Sequence, residues 1–125
     1  MITGGVATVF VSDFDRAVRF YTETLGLKLQ NRFDNHWASI DAGNGTIIGL
    51  HPASEKSPAG RRGSITIGFL LNEPIGKVVE RLRERGVQFS GPIIEDNAAW
   101  LAYFEDQDGN EFYFTELKPE YKNYR

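Results

Sequence analysis

The chain opens with a short apolar run that gives way to a helical spacing of apolar residues. Residues 6 to 11 are almost all apolar or β-branched, which predicts a strand covered on both faces. Ser12 and Asp13 end this strand, and the Asp13 carboxylate can accept hydrogen bonds from free amides at a helix start. The helix is predicted from apolar residues that share one face: Phe14, Ala17, Val18, Tyr21 and Leu25. Gly26 ends it, because a left-handed C-terminal cap costs glycine little.

Three strand candidates follow this helix. They cover residues 27–32, 37–41 and 46–51. Asp34-Asn35 and Gly43-Asn44-Gly45 separate them as turns. The first module is therefore predicted to be β-α-β-β-β.

The same order restarts after a polar stretch that contains proline and glycine. A strand is predicted at residues 64–71, and Pro74 is placed in the first turn of a second helix, where a missing amide hydrogen does no harm. This helix carries Ile75, Val78, Val79 and Leu82 on one face, and Gly86 caps it. The remaining strands are predicted at residues 87–89, 99–104 and 111–117, with a turn at 106–110 before the last.

The two modules are spaced as an internal duplication. A shift of about 60 positions lays Val11 on Leu71, Gly26 on Gly86 and Leu29 on Phe89. We predict one domain over residues 1–125, with module one at 4–51, a linker at 52–63, module two at 64–117 and a tail at 118–125.

Composition excludes several classes of function. The chain has 125 residues, 41% hydrophobic and 25% charged, which is typical of an ordinary folded domain. A net charge of −3 gives no electrostatic reason to expect a nucleic-acid partner. Nothing in the sequence approaches the length of a membrane span, and cysteine is absent, so we expect a cytoplasmic protein without disulfides.

Two segments carry a resemblance to a known family. Residues 9–21 with Leu25-Gly26-Leu27 resemble the opening of vicinal-oxygen-chelate proteins. Residues 106–112 resemble their final turn and strand, except that Gln107 stands where proline is usual. This superfamily includes glyoxalase I, the bleomycin resistance proteins and extradiol dioxygenases. The resemblance implies an α+β fold in which two βαβββ modules form a curled mixed-sheet cup with helices outside. It also implies that modules pair within one chain or across a homodimer to enclose a small molecule.

The resemblance also supplies a test for a metal. Family enzymes hold a divalent ion with His, Gln or Glu from the first and last strands of each module. The matching positions here are Val6, Thr66 (or Ile65, with a shift of one residue) and Tyr113. These side chains are poor ligands or cannot coordinate at all, so we predict no metal and no cofactor. Glu111 and Glu116 flank the vacant position, but period-two alternation sends Glu116 to the opposite face from Tyr113.

The expected ligand wall is rich in aromatic residues. In the family register Val6, Thr8 and Phe10 point to one side of the first strand while Ala7, Val9 and Val11 point toward the helix. The predicted ligand contacts are Val6, Thr8, Phe10, Trp37, His51, Thr66, Trp100, Tyr103, Tyr113 and Thr115. Such a wall suits a planar aromatic or apolar ligand. Arg61 and Arg62 belong to the predicted linker, and we expect their side chains to be solvated. The alternatives are that they lie at the mouth of the cup or bind an anionic ligand.

Three hypotheses for function remain open from the sequence. The preferred one is a metal-free binding protein similar to the bleomycin resistance proteins. The alternative is a metal-dependent glyoxalase-like lyase or isomerase, a transferase or a dioxygenase, whose metal is held by His51, Glu111 or Glu116. The third is metal-free catalysis by His51 or Tyr113. No general base with an obvious partner can be identified in the sequence.

Overall fold

The computed structural model describes residues 1, 3, 5–60 and 66–121. Contacts group the chain into two units, Met1–Arg61 with Gln107–Asn110, and Arg62–Asp106 with Glu111–Arg125. The predicted positions Ile65, Arg61 and Arg62, and the end of the tail, lie outside the described residues. No helix in the described part of the chain is long and apolar enough to cross a membrane.

Unit 1 contains one helix and a four-stranded mixed sheet. Its elements are β1 (Ala7–Val11), α1 (Phe14–Arg19), β2 (Lys28–Phe33), β3 (Trp37–Asp41) and β4 (Ile47–Pro52). The strands lie in the order β1-β4-β3-β2, with β1 parallel to β4 and the other neighbours antiparallel. This is the predicted β-α-β-β-β order, with strand boundaries shifted by one residue at most.

The first helix starts and ends as predicted but changes its winding. The Asp13 side chain accepts a hydrogen bond from the Arg16 amide at 3.1 Å, and Gly26 adopts a φ of 77° just beyond the helix. From Phe20–Thr24 the turn widens to a π-helix, which the regular spacing of apolar residues did not predict. The buried residues of α1 pack on β4 and its neighbours, so the core of unit 1 lies between the helix and one face of the sheet.

Unit 2 repeats this arrangement with one additional short strand. Its elements are β5 (Ile67–Leu70), α2 (Ile75–Glu84), β6 (Gln88–Phe89), β7 (Ile94–Glu95), β8 (Ala99–Glu105) and β9 (Glu111–Leu117), followed by a 3-10 turn at Pro119–Tyr121. The order is β5-β9-β8-β6, and β7 pairs with β8. The sequence analysis missed β7, because two residues are too few to produce a period.

The core of unit 2 is dominated by phenylalanine. Phe104 and Phe114 stack with ring centroids 4.4 Å apart, and Phe112 stacks on Phe104 at 5.5 Å.

Glu116 extends from the same face of β9, where its Oε1 accepts a hydrogen bond from the Ile75 amide at 2.8 Å. This carboxylate satisfies a free amide at the start of α2. Pro74 therefore precedes the helix, whose first residue is Ile75, and does not lie in its first turn as predicted.

Candidate functional site

Each sheet has one face turned away from the helix of its own unit, which we call the open face. In β1, Val9 and Val11 are buried on the helix side, whereas Thr8 is exposed and Phe10 half-buried on the open face. Alternation along the strand was therefore predicted correctly. The expectation that β1 is covered on both faces was wrong, because Thr8 lies uncovered.

The open face of unit 1 carries a tryptophan ring that lies across a glycine. The Trp37 indole covers the position where a side chain of Gly49 would project, so that a Cβ there would overlap the ring. Because the two residues belong to neighbouring strands, the ring must lean across the sheet to reach this position. The indole Nε1–H donates to Ser39 Oγ at 2.8 Å, which fixes the ring in this orientation.

Phe10 and His51 form the second ring contact on this face. The two residues are direct neighbours in the parallel pairing of β1 with β4, and their ring centroids lie 5.7 Å apart, edge to face. Asn110 fixes the backbone here, because its Nδ2 donates to the Phe10 carbonyl at 3.2 Å and its Oδ1 accepts from the Gly60 amide at 2.9 Å. Phe33 lies on the edge strand β2, opposite Trp37 on β3, and is 62% exposed.

The open face of unit 2 repeats the motif of a ring across a glycine. The Tyr113 ring covers Gly68, its neighbour on β5, so that a Cβ on Gly68 would overlap the phenol ring. Tyr103, opposite Tyr113 on β8, places its ring centroid 5.4 Å from that of Tyr113. Both tyrosines are half-buried, and together they form a ring surface in the middle of the sheet.

Polarity changes from one end of this face to the other. Next to the tyrosines lies a row of neighbours across four strands, made by Leu70, Thr115, Leu101 and Ile94. On the other side of the tyrosines, Glu105 and Glu111 lie opposite each other. Thr66 lies beside them, where its Oγ1 donates to the Glu111 carbonyl at 3.1 Å.

The comparison with protein families decides the classification of this fold. A model of the Glyoxalase/Bleomycin resistance protein/Dioxygenase superfamily matches residues 5–114. The chain belongs to this superfamily. No protein of curated function matches it.

Solved members of the superfamily share both the fold and the length of this chain. TnmS3, described as an antibiotic binding protein from Streptomyces sp. CB03234, is 26% identical, with a TM-score of 0.77 over 94% of this chain and 98% of its own. A superfamily member from Sphaerobacter thermophilus is 27% identical, with a TM-score of 0.74 over 93% and 98% of the two chains. A glyoxalase/bleomycin resistance protein from the same Streptomyces is 28% identical, with a TM-score of 0.71 over 90% and 98%.

The residues at the metal positions of the superfamily do not fit a divalent ion. Val6 is apolar and 50% exposed. The Thr66 hydroxyl donates to a backbone carbonyl, and the Tyr113 ring lies over Gly68. By strand register, the position on β4 that corresponds to Tyr113 on β9 is Gly49, which has no side chain. Among the described residues no three His, Asp or Glu side chains converge to hold a metal. We therefore derive no chemistry through a bound ion.

The structure brings together most of the predicted ligand contacts, in two groups. Thr8, Phe10, Trp37 and His51 share the open face of unit 1, and Thr66, Tyr103, Tyr113 and Thr115 share that of unit 2. Val6 lies just before β1.

Trp100 lies apart from these groups. It pairs with Glu116 on the helix side of the sheet, where Lys118 Nζ lies 5.4 Å from its ring centroid. Trp100 lies three residues before Tyr103 on β8, so period-two alternation places their side chains on opposite faces of the sheet.

Sequence reasoning missed the two glycines that lie beneath the rings. A glycine inside an apolar strand often marks a close approach by another group, and both Ile48-Gly49-Leu50 and Ile67-Gly68-Phe69 carry that signal. The identity of the approaching ring depends on strand register, which the sequence did not give.

The clear electrostatic perturbations lie outside the open faces. Arg32 Nη2 donates to Asp15 Oδ1 at 2.5 Å, and this hydrogen bond and the charge of Arg32 lower the pKa of the Asp15 carboxyl. The pKa of Asp96 is lowered because Oδ1 accepts hydrogen bonds from the amides of Ala98 and Ala99, at 2.9 and 2.8 Å. These carboxylates stabilise turns and an ion pair between elements.

Proposed function

We propose that this chain binds a planar aromatic small molecule at its open sheet faces and does so without a metal. The observation that carries the proposal is the ring lying across a glycine, Trp37 over Gly49 and Tyr113 over Gly68. A ring that lies along the sheet offers more of its flat surface to a ligand than a ring that stands upright. Offset stacking on such a surface contributes about 0.5–1.5 kcal/mol per ring beyond the area it buries.

The surroundings of the rings favour an apolar, flat ligand. The row from Leu70 to Ile94 extends the tyrosine surface with aliphatic contact area, and Leu70 is 50% exposed. On unit 1, Phe33 and Phe10 extend the surface around Trp37 in the same way. Apolar walls with a few polar groups are typical of sites for small molecules.

The description of one solved relative favours binding over catalysis. TnmS3, at 26% identity over nearly the whole chain, is described as an antibiotic binding protein, and this description supports a ligand-binding role here. The lack of metal ligands at the superfamily positions supports the same role. We extend the proposal to a cytoplasmic location, which suits a sequence free of cysteine. We also propose a homodimer, the pairing of modules that the superfamily resemblance implies, and light scattering on the purified protein tests this oligomeric state.

Titration with a flat hydrocarbon tests the binding function. Phenanthrene is titrated by calorimetry in buffer with a chelator. It is also titrated by quenching of tryptophan emission in Trp100→Phe, in which Trp37 is the remaining one of the two tryptophans. We expect saturable binding, with affinity reduced in Tyr113→Ala and in Trp37→Ala. Trp100→Phe serves as the matched control, because Trp100 lies on the helix side, and it should bind as the parent does.

Two outcomes would contradict the proposal. One is that neither phenanthrene nor phenanthrene with a hydroxyl or methoxy group binds at all. The other is that elemental analysis of freshly purified protein gives one equivalent of zinc, nickel, manganese or iron, which would favour a metal-dependent enzyme.

A further inference from the structure

We propose that His51 selects planar aromatics that carry a hydroxyl group, by accepting a hydrogen bond from that hydroxyl at Nε2. This inference rests on the proposed function and specifies the class of ligand. A phenol-type hydroxyl is a strong donor attached directly to a ring, so one ligand can both stack on the open face and donate to the imidazole.

The tautomer of His51 is fixed by its own strand. His51 Nδ1 lies 2.9 Å from the carbonyl oxygen of Pro52. A carbonyl oxygen can only accept, so Nδ1 must carry the proton of the neutral ring. Nε2 is then the unprotonated nitrogen, and it is available as an acceptor. Among the described residues no group occupies it.

The ring of His51 is also fixed in position on the open face. Its edge-to-face contact with Phe10 holds the imidazole beside an aromatic surface, and His51 itself is exposed. Phe10 is in turn anchored through its carbonyl by Asn110. The acceptor is therefore held in place before a ligand arrives, which lowers the entropic cost of forming the bond.

Trp37 is the other ring on this face with a polar atom, and that atom is already engaged. The Trp37 Nε1–H donates to Ser39 Oγ at 2.8 Å, so the indole contributes only its ring. The register that pairs Ala38 with Leu50 puts Trp37 next to His51 on the adjacent strand. A ligand stacked on Trp37 thus lies within reach of the imidazole, and the hydroxyl group is the feature that His51 can distinguish.

The expected discrimination is modest but measurable. A neutral hydrogen bond contributes a net of about 0.5–1.5 kcal/mol, which corresponds to about a twofold to tenfold preference. A methoxy group in place of the hydroxyl keeps the oxygen and the ring but cannot donate. When the methoxy compound binds, Nε2 of His51 is covered without receiving a hydrogen bond, and this cost adds to the preference for the hydroxyl compound.

Three probes of one ring system test the inference: 9-phenanthrol, 9-methoxyphenanthrene and phenanthrene. Their affinities are measured at about pH 8, where ordinary imidazoles are neutral. We expect wild-type protein to bind the phenol about two- to tenfold more tightly than the methyl ether. In His51→Phe the ring and its contact with Phe10 are retained, the acceptor is lost, and the ratio of the two affinities should fall to about one. In His51→Gln an amide oxygen can replace Nε2 as acceptor, and part of the ratio should return.

His36→Phe is the matched control, because His36 lies exposed in the turn between β2 and β3 and should leave the ratio unchanged. Equal affinities of wild-type protein for phenol and ether would overturn the inference, as would a ratio that survives in His51→Phe. Either result leaves aromatic binding itself intact. If none of the three probes binds, the proposed function fails, and the role of His51 fails with it.

Discussion

Replacement of Gly68 by alanine should weaken ligand binding strongly while it changes the stability of the fold only slightly. The new methyl group would occupy the space that the Tyr113 ring now fills, and the backbone at Gly68 is outside the left-handed region, so alanine is compatible with the strand. The ring must therefore rotate away from the sheet, and its contact with Tyr103 at 5.4 Å is disturbed.

The cost to stability should be small. Alanine in place of glycine restricts the unfolded chain and stabilises the fold by about 0.4–1 kcal/mol where the conformation is compatible. Displacement of the tyrosine from its rotamer costs about 0.5–1.5 kcal/mol. The two effects offset each other to within about 1 kcal/mol, so the melting temperature should change by no more than about 5 °C.

The cost to binding should be much larger. If a ligand covers about 60 Å² of the ring, at about 25 cal/mol per Å² this contact contributes about 1.5 kcal/mol, and stacking adds about 0.5–1.5 kcal/mol. Loss of the ring surface should therefore weaken phenanthrene binding about 30- to 150-fold. Calorimetric titration of both proteins measures this difference.

Gly76→Ala provides the control for Gly68→Ala. Gly76 lies on the exposed side of α2 with no atom near its missing side chain, so alanine should raise stability by about 0.5–1 kcal/mol and leave binding unchanged. If Gly68→Ala binds phenanthrene as tightly as the parent, the Tyr113 ring that lies across Gly68 is not part of the ligand surface, and the reasoning is refuted.

Three further substitutions test other parts of the structure. Gly49→Ala should displace the Trp37 indole from the sheet, shifting its emission in a Trp100→Phe background; an unchanged spectrum would show that the ring does not lie over the glycine. Asp96→Ala should lower the melting temperature at neutral pH but have little effect at about pH 2, because a carboxyl with a lowered folded-state pKa stabilises above its unfolded pKa and loses that contribution as pH falls. A loss of equal size at both pH values would contradict this assignment. Gly60→Ala should destabilise the fold by at least about 1–2 kcal/mol, measured by urea unfolding, because its φ of 73° disfavours alanine and the new Cβ would overlap a backbone carbonyl in the turn at 107–110.

The sequence by itself determined the order of the elements, apart from the two-residue strand β7 and the π-helical turn at Phe20–Thr24. Asp13, Gly26 and Gly86 act locally, through capping bonds and left-handed backbone, so helix boundaries could be predicted from neighbouring residues. Strand alternation is equally local, and it correctly assigned Thr8 and Phe10 to one face and Glu116 to the face opposite Tyr113. The lack of metal ligands at the superfamily positions was also visible in the residues themselves.

Tertiary structure alone decided which side chains meet. Gly49 lies beneath Trp37, and Gly68 beneath Tyr113, because neighbouring strands pair in one register, and a slip of one residue would turn every side chain to the other face. The same dependence on pairing brings His51 against Phe10, more than forty residues earlier in the chain. Local sequence sets the direction of each side chain, whereas its neighbour across the sheet is set by contacts between distant segments.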